Sequence, residues 1–169
     1  MKELVPDEFD VPTTVEFPNF VFKPLDEAAT DLDYDAVMSS REDLTRIFGS
    51  DDEWPAADLS WKQNRQDLRK HSNLFIKRTS FAWTVLTPDL QRCIGCVYFY
   101  WPLLADYDAT VYLWVRSDEL KNGLDAELEA VVKLWLTNEW PFKKPAFPGR
   151  DIPWEEWQGG CIRTPEGDS

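Results

Sequence analysis

Histidine is almost missing from this chain: His71 is the only one among 169 residues, so a multi-histidine metal site is excluded by count. In the predicted helix around it, His71 falls near the face of Leu68 and Phe75, where an imidazole packs more readily than it acts as a base. Cysteine is scarce and odd in number, at three, which rules out a disulfide framework and leaves three reduced thiols. Basic residues are few. Eighteen Lys and Arg face 31 Asp and Glu, giving a net charge of -13 that repels phosphodiester backbones and anionic lipid surfaces alike. Nucleic acid and membrane are therefore not expected partners. Long apolar runs are also lacking, since nothing approaches the roughly 20 residues that span a bilayer. The start, MKELVPDEFDVP, has no apolar signal region. A cytoplasmic protein is expected.

What the chain has is a large aromatic and aliphatic content, 14% and 43% of residues for the aromatic and total hydrophobic sets, enough for one substantial core but not two domains. Nine tryptophans are expected mostly in core and rim packing, because indole is highly buried on average. Residues 1–19 carry three prolines and no helical period, and are expected to run extended over the surface before the domain proper at 20–148.

The domain opens with a strand at 20–25. Ala29, Leu32, Val37 and Met38 then recur at near-helical spacing, and Ser40-Arg41-Glu42-Asp43 has the pattern of a capping box that restarts a helix. Gly49 is read as its stop. After an acidic loop from Ser50 to Leu59 around Trp54, Ser60-Trp61-Lys62-Gln63 is a second capping signature. Trp61, Leu68 and Phe75 follow at intervals of seven, which predicts that all three share a core-facing side. Three segments then change to strand character: Phe81 to Leu86, Cys93 to Trp101 and Ala109 to Arg116, joined by short turns into an antiparallel meander. Leu124, Leu128, Val131, Val132, Trp135 and Leu136 mark a long amphipathic helix, stopped by Pro141. A short strand between Phe142 and Phe147 belongs at an edge because Pro145 lacks a ladder donor. The tail at 149–169 carries Arg150, Asp151, Trp154 and Trp157, placed to cover an open sheet edge that otherwise invites self-association. Gly159-Gly160 follows no strand and is read as flexible tail, not as a phosphate loop.

This order, β-α-α-β-β-β-α-β, resembles the GNAT N-acetyltransferase superfamily over about residues 20–148. The resemblance implies an α/β (α+β) domain with a mixed, mostly antiparallel sheet flanked by helices. It further implies that the strand Val111 to Val115 carries a bulge and offers backbone amides, at Leu113, Trp114 and Val115, to the pantetheine arm of acetyl-CoA. The pyrophosphate would lie on the next helix start, Lys121, Asn122, Gly123, Leu124 and Asp125. A helix start suits phosphate on general grounds, having unpaired N–H groups and the positive end of the macrodipole.

The family's loop reads Arg/Gln-x-x-Gly-x-Gly/Ala, and only Gly123 matches it cleanly: Leu120 replaces the Arg or Gln, and Asp125 replaces the second small residue. Asn122 as helix cap and Asp125 as dipole partner are the competing ligand-free reading of the same loop. The tyrosine by which the family protonates the leaving thiolate has no counterpart, since no tyrosine follows Tyr112. The catalytic residues are thus not assigned from the sequence. Asp106 and Asp108 qualify as bases by location only, against an ordinary turn role. Cys93 and Cys96, three apart, fall on opposite faces of a regular strand unless Gly95 marks a bulge, and no metal site is expected there.

Two functions compete on this reading. One is acyl-CoA-dependent N-acetyl transfer to a small amine held near the acidic loop at Trp54. The other is a non-catalytic protein of the same fold that has lost CoA binding and binds a small ligand or a protein partner.

Overall fold

Large apolar residues alternate along three successive segments, and in the computed structural model, which describes residues 2–163, these form the centre of the sheet. They are β3 (Phe81–Leu86), β4 (Cys93–Tyr100) and β5 (Ala109–Val115). Strand β2 (Val21–Pro24) pairs antiparallel with β3, and β1 (Val15–Glu16) pairs antiparallel with β2. On the far side β6 (Pro145–Ala146) joins β5 in parallel, giving a six-stranded sheet in the order β1-β2-β3-β4-β5-β6.

Helices cover both faces. Helix α1 (Thr30–Ser39), α2 (Arg41–Leu44) and α3 (Trp61–Ile76) lie on one side, where Val37, Leu44 and Leu68 pack against Ala82, Tyr98 and Trp114. Two short helices frame the remainder, α4 (Ser117–Leu120) and α6 (Trp154–Gly159). The long helix α5 (Leu124–Glu139) buries Leu128, Val132, Trp135 and Leu136 against Trp83, Phe99 and Val111 on the opposite face. Trp83, Trp135, Trp140 and Phe99 meet there mostly edge to face, with ring centroids 4.9–5.7 Å apart, the range in which aromatic quadrupoles attract.

The expected elements are present, with corrections of local detail. The N-terminal stretch does more than cross the surface: Leu4 and Val5 are buried in the α5-side core, Phe17 packs on Phe22, and the stretch contributes β1. The Ser60–Gln63 capping box forms in both directions. That at Ser40 does not, because the Ser40 hydroxyl instead accepts a hydrogen bond from the Ser117 amide at 2.9 Å, tying α2 to the end of β5. Helix α2 stops at Leu44, short of Gly49, because Thr45 leaves the helical region at ψ 127° and Arg46 takes φ 74°. Trp61 leaves the core face. It is the first residue of α3, and its indole is 42% exposed and donates to Asp31 at 2.8 Å. The Gly159-Gly160 pair closes α6 instead of lying in a loose tail. Trp157 of that helix is buried with Leu104, Ala146 and Ile152, so α6 covers the β6 edge as expected. The end of the tail, 164–169, lies outside the described residues.

Candidate active site

Strands β5 and β6 pair only at Ala109–Pro145 and Thr110–Ala146. Beyond Thr110 they part, and among the described residues the edge of β5 from Val111 to Val115 has no strand partner on that side, while it remains in unbroken register with β4 on the other. The bulge that the resemblance implied in this strand is therefore absent, and the opening comes from the parting of the strands alone. The Leu113, Trp114 and Val115 side chains are buried in the two cores, leaving their backbone to face the wedge.

At the wedge's mouth stands α5. Gly123 is its N-cap residue, at φ 75°, and no side chain caps the helix. A Cβ on Gly123 would meet no atom within 4 Å, so glycine here satisfies the left-handed backbone and leaves open space above the first-turn amides. Asn122 does not cap; its amide donates to Glu119 at 2.9 Å. Lys121 is exposed at the end of α4.

Asp125, in the first turn of α5, is held by Arg150. The guanidinium donates to both Asp125 oxygens at 2.7 and 2.8 Å, to Glu129 at 3.2 Å, and to the Leu113 carbonyl at 3.1 Å, so that it bridges the wedge from α5 to β5. Such a fork is the strong, planar form of an arginine–carboxylate pair. A second arginine stands beside it. Arg46 is exposed, at φ 74°, and lines both small cavities at the mouth, of about 220 and 200 Å³. Neither arginine is marked by the phosphate-loop pattern: one comes from the segment after α2, the other from the tail.

On the face of α1 and α3, next to this wedge, lies a larger cleft of about 530 Å³. Tyr98, Tyr100, Tyr112, Phe48 and Trp54 wall it, with Asp33, Asp52 and Asp67 among its lining. Phe48 is central, with edge contacts to Trp54, Tyr98 and Tyr112 at 5.4, 5.1 and 5.2 Å. Tyr112 lines both this cleft and the small cavity at the wedge, and so stands at the border between them. Burial first, and the Asp52 carboxylate next, push the Tyr112 hydroxyl up to about 12, so it stays a neutral donor at physiological pH. His71 also lines the cleft, and burial lowers its pKa. It is a neutral imidazole against Tyr98, at 5.6 Å between rings.

The turn acids do not join the site. Asp108 accepts the Lys143 and Lys144 amides at 2.5 and 3.0 Å and fixes the chain entering β6, while Asp106 is exposed in its turn. The thiols, in contrast, come together. Opposite Val85 and Leu86 the β4 register skips Ile94, and this extra residue turns Cys93 and Cys96 to the same side, toward Asp33 of α1.

No known family's sequence description matches this chain, and no curated protein matches it. Solved structures do. A ribosomal-protein-S5-alanine acetyltransferase from Vibrio fischeri superposes with a TM-score of 0.57 at 16% identity, covering 75% of this chain and 67% of its own. The ribosomal L7/L12 alpha-N-protein acetyltransferase RimL, in complex with coenzyme A, gives 0.57 at 14% identity over 72% of this chain and 67% of its own. A structure described as a probable acetyltransferase gives 0.62 at 10% identity over 79% and 72%. At these identities the likeness establishes the fold: the chain has the mixed α/β architecture of the GNAT acetyltransferases.

Proposed function

We propose that this chain, built on the acetyltransferase fold, is an acyl-CoA-dependent N-acyltransferase whose acceptor is a small amine bound as its ammonium in the aromatic cleft. The observation that carries the reading is the adjacency of two spaces of opposite character, with Tyr112 at their border: an acidic, aromatic cleft of about 530 Å³ and a wedge whose mouth carries a helix N-terminus and two arginines. Phosphate suits the second, because unpaired amides, the helix dipole and guanidinium groups all favour negative charge. Cations suit the first, where aromatic faces and the nearby Asp52 and Asp67 attract an ammonium.

The residues present fit the cofactor. The Val111–Val115 edge would hold its pantetheine arm, and Gly123, the first turn of α5 and Arg46 its phosphates. When bound, acyl-CoA supplies the activated thioester carbonyl. The chain's own part is to bind and orient the amine, and Asp52 is the cleft carboxylate placed to take the ammonium proton, directly or through water. The neutral Tyr112 hydroxyl gives a donor at the border where negative charge develops.

Titration with small primary ammonium ions, followed calorimetrically, tests the cleft. Trp54→Ala is expected to weaken binding about tenfold, since a desolvated cation–π contact is worth up to about 2 kcal/mol, and Asp52→Asn to weaken it to a similar degree. A wild-type protein that binds no cationic amine overturns the assignment of the acceptor.

A second reading rests on Arg150. Its bridge from Asp125 to the Leu113 carbonyl spans the very edge along which a pantetheine arm would run. In that reading the protein is a non-catalytic amine binder whose wedge is permanently latched. Amine binding then persists and CoA binding is absent, so the two readings part on the cofactor alone.

A further inference from the structure

Two thiols and a carboxylate meet between β4 and α1, and neither function above uses them. The donor atoms of Cys93, Cys96 and Asp33 lie within 4.8 Å of one another, and all three residues are buried. Their convergence is built by the fold. The extra residue Ile94 in β4 brings both sulfurs to one face, and Gly95 makes this possible because a Cβ there would sit 1.9 Å from the Trp114 carbonyl oxygen. On the helix side, Asp33 is only 3% exposed. It receives Asn64 at 2.8 Å and the Cys96 thiol at 3.5 Å, and among the described residues no cationic side chain pairs with it. A buried carboxylate ordinarily has a charged partner or coordinates a metal.

We infer that Asp33, Cys93 and Cys96 form a binding site for a thiophilic divalent cation, zinc above all. Two thiolates with one carboxylate select zinc over magnesium or calcium, which prefer oxygen donors. With zinc–sulfur bonds of about 2.3 Å and zinc–oxygen bonds of about 2.1 Å, tetrahedral ligand atoms stand roughly 3.5–3.8 Å apart. The Cys96–Asp33 separation of 3.5 Å already meets this, and side-chain rotations that close the others by at most about 1 Å suffice. The charges balance simply: one divalent cation displaces the two thiol protons and binds three anionic ligands, leaving a site of net charge -1 in place of the single carboxylate. Asn64 orients the carboxylate as an outer hydrogen-bond partner. Asp33 and Asn64 also line the large cleft, so the path for the ion and the fourth ligand position, for water or a small donor, lie on that side. The site is independent of acyl transfer and stands whichever reading of the wedge holds.

Cobalt(II) titration of the fully reduced, chelator-treated chain tests it, because thiolate-to-cobalt charge transfer and tetrahedral ligand-field bands report the donors directly. One equivalent of cobalt is expected to bind, with zinc displacing it. Cys93→Ser, Cys96→Ser and Asp33→Asn each weaken cobalt binding at least tenfold, the two serine variants also roughly halving the charge-transfer intensity of the cobalt that still binds, and Cys161→Ser, at the exposed thiol, changes nothing. Two results overturn the inference: no charge-transfer band in folded wild type, or a band that disappears with Cys161→Ser. The wild-type titration decides even where a core serine variant fails to fold.

Discussion

Asp125→Asn is expected to bind acetyl-CoA at least about tenfold more tightly than the wild type while unfolding at a lower temperature. The carboxylate lies in the first turn of α5, where the pyrophosphate is proposed to lie, and it also holds Arg150 across the wedge. Two like charges about 4 Å apart repel by about 4 kcal/mol at the dielectric of a protein surface. Arg150 neutralises most of this in the wild type, and about 1.4 kcal/mol, a factor of ten, is what its removal returns. The amide keeps the shape but frees the guanidinium to turn from aspartate to phosphate. Stability moves the other way. Losing a bidentate charge-assisted pair and an acidic residue at a helix start costs about 1–2 kcal/mol, or roughly 2–8 °C in Tm for a chain of this size. Calorimetric titration beside a thermal melt checks both arms. An unchanged CoA affinity in a destabilised variant means that the latch does not stand in the cofactor's path.

Gly95→Ala is expected to produce the largest loss of stability of any single methyl addition in the sheet. The added Cβ would lie 1.9 Å from the Trp114 carbonyl oxygen, 2.9 Å from its carbon and 3.0 Å from the Val115 Cα. All three are backbone atoms of β5, so no side chain can rotate away; β4 and β5 must separate where they pair Gly95 with Val115. Overpacking of a core ordinarily costs about 1–3 kcal/mol, and a backbone clash at the sheet's centre puts this variant at or above the upper end. Loss of about 6–12 °C in Tm, or recovery only as insoluble protein, is the expected outcome. A variant as stable as the wild type contradicts the bulged register, and with it the convergence of Cys93 and Cys96.

Which features were legible in the sequence follows from how local their causes are. The long helix is written in the spacing of Leu128, Val132, Trp135 and Leu136, and the start of α3 in the reciprocal Ser60–Gln63 cap, because both depend on residues within one or two turns. Ser40 carries the same local signature, yet its hydroxyl is taken by Ser117, 77 positions away, and no local pattern reports such a partner. Strand parity puts Cys93 and Cys96 on opposite faces, and one extra residue reverses it; Gly95 is the only local sign of that residue. The proposed acceptor cleft was legible only at Trp54 and its acidic loop, since Tyr98, Tyr100 and Tyr112 reach it from strands whose relative placement is tertiary. Gly123 marked the proposed phosphate end of the wedge. Arg46 and Arg150 did not, because they arrive from segments far outside the loop in which a phosphate-binding charge is normally sought.

The claim on which the functional account turns is that a cofactor occupies the wedge beside β5 and the start of α5. Isothermal titration of the wild type with acetyl-CoA, repeated on Gly123→Trp, tests it most directly, because the space above Gly123 is open and an indole there would fill it. The account predicts micromolar binding to the wild type and none to the variant. No heat with the wild type, together with a melting temperature that excess acetyl-CoA leaves unchanged, would contradict it and leave the amine-binding cleft as the working part of a latched, non-catalytic fold.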